Sequence, residues 1–459
     1  MSTFLRPGRL IALATAALAV IGLGLLAASG NHASCDGPCP PAATVSDTFW
    51  FLHRDLGREG GITARMTAMS GTITYPPPDH DEIVPGLVPW AKAGIIVKDG
   101  VGQGSRYAAL AMTGTHGVRF QYDYTYDVAG SRSATPRWMR LTRSGDTITG
   151  AESADGRQWR TVATATLDGL PDTVQVGLFA TSPGDLTLRK VMLGGAVEQV
   201  RFTQAVGVFD HVTVEGGNAG GWVSEPVGDM NRTDWERFHN ASGAVESGGV
   251  ITVSGTGDIG PGGQDGPPVV PMLLMGLVIA VVIVLVVAAR SPGGPAVVAA
   301  AAFVTGLVAV GVTLPAGLAI LHRNGVQSVL PFWTGVRVAV GLAVVLALCA
   351  VFAYGLRAWL RRGWAAILLA VGLVAVPYGV ATLPILPDAL AEWLLRVTPA
   401  AGFAVRQTVV EYPQVTAHYA PSAGYFPLPW WAGLAVLCAY ATIALLLSRS
   451  VPVRRRAAR

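Results

Sequence analysis

The amino-acid sequence predicts a membrane bundle of six transmembrane helices, with an all-β sandwich placed between the first and second spans on the far side of the membrane. Three observations carry this. Of 459 residues, 51% are hydrophobic and only 14% charged, against about 25% charge in soluble domains. Six stretches each supply about the 20 apolar residues that cross a bilayer. The formal net charge of +4 is a sum over unlike parts. Residues 1–30 carry +2 and residues 269–459 carry +10, whereas residues 31–268 carry −8. An acidic insert in a basic, apolar frame excludes a wholly soluble, disordered or coiled-coil chain.

The first span is Leu10–Ser29, preceded by Arg6 and Arg9. It reads as an uncleaved signal-anchor; the rival is a cleaved signal peptide, and both export the insert. Val269–Ala289 is uncharged and closes at Arg290, and Ala296–Leu321 is uncharged up to His322. Val338–Leu356 lies between Arg337 and Arg357, and Gly363–Leu386 contains Pro377 and Pro384, which membrane helices tolerate. Leu428–Leu447 ends before Arg449 and the basic tail. With the N-terminus inside, eleven arginines fall in the cytoplasmic segments and only Arg323, Arg337, Arg396 and Arg406 in the short outer loops. Because basic residues are retained inside, the expectation is a multi-pass cell-membrane protein. Both termini are then cytoplasmic and residues 31–268 extracytoplasmic.

In that insert, residues 31–45 form a Cys/Pro-rich linker in which Cys35 and Cys39 read as a small disulfide loop. Three residues separate them rather than the two of a redox motif. Residues 46–214 show short alternating runs broken by turns such as Ser144–Gly145 and Asp155–Gly156, the mark of a β sandwich. Residues 215–268 read as a Gly-rich β appendage and linker. Trp90, Trp138 and Trp159 are candidates to stack on sugar rings; the alternative, favoured here, places them in the core or on a sheet face. Asp79–His80–Asp81–Glu82 is a candidate cation cluster, though such a run after three prolines more often forms a solvated loop. The sequons at Asn231 and Asn240 are too common a pattern to build on.

Absences narrow the chemistry. The only lysines are Lys92, Lys98 and Lys190, and none follows a glycine, so no P-loop is present. No zinc-protease or nucleophile-elbow motif occurs. No acidic or basic residue lies inside a span, which argues against an ion-coupled carrier. No cofactor and no nucleic-acid partner is expected, and the chain reads as a non-enzyme. Between the last two spans, Leu390, Trp393, Leu394 and Val397 share a helical face. That suits a helix at the membrane surface, with a second short helix after it over about 400–411.

Two stretches carry resemblances. Trp90–Asp99, Trp138–Leu141, Ser153–Trp159, Val176–Leu178 and Phe209–Val212 resemble the strands of concanavalin A-like jelly-roll domains found beside bacterial glycosidases. That implies the fold and no particular function. Arg396–Gln407 with Glu411–Val415, continued by Gly424–Leu428 and Trp431–Gly433, resembles the outer loop of actinobacterial ABC-type exporter permeases. The residues carrying that likeness are Thr398, Pro399, Phe403, Gln407, Tyr412, Pro413 and Gln414. The resemblance implies a permease subunit whose ATP hydrolysis comes from a separate ATPase chain, pairing with a second copy or a sister permease. One departure stands out. Such permeases usually carry a polar coupling stretch between spans two and three, and here only Arg290–Pro295 joins them. The Arg357–Arg362 loop, with Arg357, Arg361 and Arg362, is then the remaining candidate contact for an ATPase. The alternatives are a membrane-anchored binding or scaffold protein, with cell-envelope carbohydrate as a candidate ligand, and a surface carbohydrate-active enzyme. The last requires two close carboxylates.

Overall fold

The computed structural model describes residues 6–32, 45–74, 82–132, 136–217, 220–228, 230, 237–238, 241–262, 269–326 and 330–450. Cys35, Cys39, the Asp79–Asp81 part of the acidic cluster and the sequon residues Asn231 and Asn240 lie outside them.

Helix α1 spans Pro7–Gly30. After the β region come α2 (Val269–Leu273) and α3 (Leu277–Ala289), then α4 (Pro295–Arg323) and α5 (Phe332–Leu360). α6 (Gly363–Ala381) holds a π-helical turn at Val371–Ala375, and α7 (Asp388–Val397) and α8 (Trp430–Arg449) complete the chain. Five of these helices, α1, α4, α5, α6 and α8, are long and apolar enough to cross a membrane. The second apolar stretch, expected as one span over 269–289, is broken between Leu273 and Leu277. The break lies where Gly276 meets α1: a Cβ there would sit 2.3 Å from the Ala19 carbonyl oxygen.

Small residues set the other helix contacts, as they do where lipid supplies no hydrophobic drive. A Cβ on Gly306 would fall 2.9 Å from Ala343 on α5, and one on Gly355 would fall 2.8 Å from Ala444 on α8. Asn324, just past α4, donates to the carbonyls of Ala28 at 3.1 Å and Asn31 at 2.9 Å, tying the ends of α1 and α4 together. That end leads into the β region. Exposed Phe332, Trp333, Trp430 and Trp431 begin α5 and α8 at this end, and Trp393 lies on α7. Trp359 and Trp364 mark the opposite end. Aromatic rings grouped at both ends of an apolar bundle match the two interfaces of a bilayer.

The β region is a large antiparallel sandwich. Its organising element is β2 (Phe49–Thr74), 26 residues long and shared by two layers. In the first layer its N-terminal half pairs with β14 (Val223–Val227) on one edge and β11 (Val174–Thr181) on the other. The layer continues through β4 (Lys92–Lys98), β5 (Tyr107–Thr113), β6 (Val118–Tyr122) and β7 (Tyr126–Ala129). In the second layer its C-terminal half pairs with β8 (Arg137–Ser144) and β13 (Ala196–Gly217), and near its end with the short β3 (Ile83–Pro85). There β9 (Thr147–Ser153) and β10 (Arg160–Thr166) extend one side. β16 (Val250–Gly255) and β15 (Gly243–Ser247) extend the other. Of the described strands in 215–268, read from the sequence as an appendage, β14 pairs with β2, β16 with β13 and β15 with β16, which widens the sandwich. Between the layers Leu56, Ile95, Leu110, Phe120, Leu141, Val176, Leu178 and Phe209 form the core.

All seven residues of β4 are buried, which a half-solvated strand would not allow. Ala93, Ile95 and Val97 face the inter-layer core. Ile96 faces a second cluster with Phe49, Phe51, Tyr107 and Phe179. Lys92 and Lys98 share the parity of Ile96, and this face meets a two-stranded ribbon of β1 (Val45–Asp47) and β17 (Ile259–Pro261). Lys98 Nζ pairs with Asp47 Oδ2 at 2.7 Å, with both side chains 0% exposed. It also donates to the Ser105 carbonyl at 2.9 Å and lies 3.1 Å from Tyr124 Oη. Tyr124 Oη and the Gly104 amide both donate to the same carboxylate oxygen at 2.8 Å. Lys92 Nζ donates to Asp258 Oδ1 at 2.8 Å and to the Ile259 carbonyl at 2.5 Å. Burial lowers the Lys98 pKa despite the attraction of Asp47, and it raises that of Tyr107. Two of the chain's three lysines therefore pin together the first and last strands of the β region.

Candidate functional site at the junction of the sandwich and the helices

The stretch from α6 to α8 builds the contact between the two parts. α7 starts after Pro387 with Asp388 in its first turn and carries the Glu392–Arg396 pair at 2.8 Å, spaced i,i+4. Thr398 then turns the chain: its Oγ1 donates to the Leu394 carbonyl at 2.7 Å and accepts from the Ala400 amide at 3.3 Å. Pro399 opens a tight 3-10 segment, Pro399–Arg406, in which every residue is buried. The expected helix over 400–411 thus ends at Arg406, and Gln407 has left the helical conformation, with ψ at 120°.

Glycines let this segment enter the bundle. A Cβ on Gly433 of α8 would lie 2.2 Å from the Ala401 carbonyl oxygen, and one on Gly341 of α5 would lie 2.0 Å from Val405. Phe403 stacks on Tyr378 of α6 with ring centroids 4.0 Å apart. Arg406, 4% exposed, lies 5.2 Å from both the Tyr378 and the Phe426 rings and donates to Tyr378 Oη. Its Nε has no partner among the described residues. A guanidinium held by aromatic faces and a phenol instead of a carboxylate is the least expected feature of the junction. Its only sequence signal is an arginine at the end of an apolar run.

Gln407 locks the next loop: its Oε1 accepts from the Phe426 amide at 2.6 Å, its side-chain amide donates to the Val409 carbonyl at 2.7 Å, and Arg337 donates to its carbonyl. The Tyr412 amide donates to Tyr419 Oη at 3.2 Å, and Pro413 leads into a turn. Gln414, 4% exposed, reaches the sandwich and donates to the Thr125 carbonyl at 3.0 Å. His418 stands 2.8 Å from Asp388 of α7 and 3.6 Å from Glu198 of β13. The residues carrying the permease likeness therefore form one continuous path from α6 and α8 to the β sandwich.

At the opposite end of the bundle, Arg357 donates to the Ser291 carbonyl at 2.8 Å, and Arg9 reaches the Arg290 carbonyl at 3.4 Å. A cavity of about 340 Å³ is lined by Ser291, Pro292, Tyr354, Arg357, Ala358 and Arg361. Arg362 is exposed beside it. The link between α3 and α4 is thus a tight turn clamped against the end of α5, with no projecting helix.

The three tryptophans are spread over the sandwich. Trp90 is buried, stacked on His116 at 4.0 Å with the Arg119 guanidinium 5.5 Å from its ring. Trp138 and Trp159 lie on the outer face of the second layer. The Arg140 guanidinium sits 3.9 Å from the Trp159 ring, and Arg65 and His211 flank Trp138. Gly156, at φ 72°, passes so close that a Cβ would be 2.8 Å from the Trp138 ring. Each ring is thus covered on at least one side by its own chain. The carboxylates nearby are engaged by arginine as well: Arg119 holds Asp127, and Arg137 and Arg160 hold the fully buried Glu152. No group of three His, Cys, Asp or Glu side chains suited to a metal occurs among the described residues.

Asp210 yields a pH prediction. Arg65 Nε donates to it at 2.7 Å, and with help from His211 holds its carboxyl at about 2, below the usual 3.8. A depressed acid stabilises the fold above the unfolded value and loses that contribution as pH falls through the folded one. The sandwich should therefore lose about 1–2 kcal/mol between roughly pH 4 and pH 2. Asp210→Asn should flatten this part of the profile, followed by tryptophan fluorescence during urea unfolding. An unchanged slope in the variant would contradict it.

No family model and no curated protein matches the chain. Among solved structures, SCP-B, a member of the eqolisin family of peptidases in complex with the tripeptide Ala-Ile-His, aligns at 12% identity. It covers 46% of this chain and 99% of its own, with a TM-score of 0.27. A mutant of the GH43 protein BlXynB from Bacillus licheniformis aligns at 12% identity over 27% of this chain and 24% of its own, TM-score 0.20. A functionally unknown protein from Saccharomyces cerevisiae aligns at 16% identity over 37% of this chain and 75% of its own, TM-score 0.19. Likenesses this distant carry nothing further.

Proposed function

We propose that this chain is the membrane-spanning subunit of an ABC-type exporter, paired with a second copy or a sister permease and driven by a separate ATPase chain. The observation that carries the reading is the burial of Pro399–Arg406 between α5, α6 and α8, continued by Gln414 into the sandwich. The segment resembling the permease outer loop is the one that ties the helices to the β domain, so a shift of α8 against α6 would be felt at the sandwich. In this reading residues 31–268 lie outside the cell membrane and both termini in the cytoplasm, and the arginine bias of the loops supports that orientation. The sandwich then serves as a ligand or envelope contact above the bundle. The chain itself performs no catalysis.

One observation favours a second reading, a membrane-anchored binding or scaffold protein. The Arg290–Pro295 link is folded flat against Arg357 and offers no projecting coupling element. Under the exporter reading the contact must come from the exposed Arg361 and Arg362. Purified in mild detergent from its native membranes, the full chain should bring down a P-loop ATPase chain in near-equal amount. Arg361→Glu with Arg362→Glu should release that chain while leaving the melting temperature of the bundle unchanged. Recovery without any ATPase overturns the exporter reading in favour of the scaffold.

A further inference from the structure

Among the described residues of the β domain, exposed large apolar side chains gather on the hairpin of β12 (Asp185–Lys190) and the start of β13. At its tip Met192 is 73% and Leu193 79% exposed, and Leu193 is held at φ 52°. Leu188, Val197, Val200 and Phe202 are exposed along its strands. Isolated surface leucines are ordinary; here Leu188, Val200 and Phe202 share one face of the hairpin by alternation, and with the two tip residues they form a patch that calls for a partner.

Its position says which. The tip rests on the turn that ends α6: a Cβ on Gly194 would lie 3.2 Å from Pro387, and one on Gly195 would lie 2.0 Å from the Pro384 carbonyl oxygen. Beyond that turn α7 exposes Leu390, Trp393 and Val397 on one face, and Leu383 is exposed just before it. Met192 and Leu193 therefore stand beside the end of a helix long enough to cross a membrane and beside an amphipathic helix whose apolar face is open. Exposed Arg189 and Lys190 immediately precede the tip, cations of the kind that meet lipid phosphates.

We propose that the 188–202 hairpin dips its tip into the headgroup region of the leaflet next to the β domain, with α7 as its neighbour. The occupant of this apolar surface is lipid. The proposal rests on the reading of the helix bundle as membrane-spanning. The sandwich would then be held to the bilayer at two places, its paired end strands and this hairpin.

The test uses the full chain with its native cysteines replaced by alanine, reconstituted in vesicles of phosphatidylcholine and phosphatidylglycerol. An environment-sensitive dye is placed at Leu193→Cys, at Arg157→Cys on an exposed turn of the sandwich, or at Val308→Cys on the exposed face of α4. The expected result is blue-shifted emission from the Leu193 site, quenching by brominated acyl chains, and loss of the iodide quenching seen at the Arg157 site. A Val308 dye quenched by the lipid beside a Leu193 dye open to iodide overturns the hairpin proposal and leaves the membrane-spanning reading intact. A Leu193 dye shielded from both quenchers also overturns it, since protein then covers the tip. A Val308 dye open to iodide removes the membrane-spanning reading and the proposal with it.

Discussion

Lys98→Met should destabilise the β domain by about 3–5 kcal/mol, the typical effect of breaking a buried ion pair by removing one partner. The Asp47 carboxylate would remain buried, with Tyr124 Oη and the Gly104 amide as donors but no counter-charge. Its other oxygen already lacks a partner among the described residues. Neutralising both members, Lys98→Met with Asp47→Leu, should recover most of the loss, because the expense lies in the uncompensated charge and not in the missing pair. Thermal unfolding of the detergent-solubilised chain, followed by tryptophan fluorescence, separates the cases. A melting temperature unmoved by Lys98→Met would mean that Asp47 is solvated and the β1–β17 ribbon is not closed as described.

A smaller but still clear loss is expected from Gly433→Leu at the junction. The new side chain would start 2.2 Å from the Ala401 carbonyl oxygen and 2.9 Å from Ala404. Neither is the far end of a flexible side chain, so the Pro399–Arg406 segment must move. Overpacking of this kind commonly costs about 1–3 kcal/mol. Here it would also pull Arg406 from the Tyr378 and Phe426 rings and weaken the path through Gln414 to Thr125. Gly433→Ala should act in the same direction with smaller size. The readout is the melting temperature and the size-exclusion profile of the detergent complex. A Gly433→Leu chain indistinguishable from its parent in both would contradict the placement of the segment.

The helices and the sandwich are legible in the sequence because their signals are local: long apolar runs in one case, alternation between turn residues in the other. Helix ends are less so. α5 runs from Phe332 to Leu360, beyond the uncharged stretch 338–356, because Arg337 and Arg357 sit within helical turns and bond outward to Gln407 and Ser291. The break near Gly276 is set by contact with Ala19, more than 250 positions away in sequence, and no periodicity reports that. The strands after residue 215 lack a visible partner in the sequence because β2 and β13 are long enough to pair twice. The buried lysines obey the same rule. Lys92, Gly94, Ile96 and Lys98 share a face by alternation, but only the closing ribbon shows that this face is dry.

At the junction, the resemblance locates Thr398 through Gln414 in sequence but not the burial of Pro399–Arg406, which depends on glycines of α5 and α8. Arg406 reads in the sequence as one outer arginine among four. Its setting is defined by Tyr378 and Phe426, 28 and 20 positions away, a separation that no spacing rule covers.

The pairing of β1 with β17 has a consequence for modularity. Val45 lies opposite Pro261 and Asp47 opposite Ile259, so the sandwich begins and ends at neighbouring points in space. α1 and the break before α3 touch directly through Ala19 and Gly276. The helical frame therefore needs nothing between residues 45 and 261 to bring those helices together. The β domain is a cassette: removing it between those positions and joining the stubs with a short turn should leave a bundle that still assembles, and another domain with adjoining ends could occupy its place.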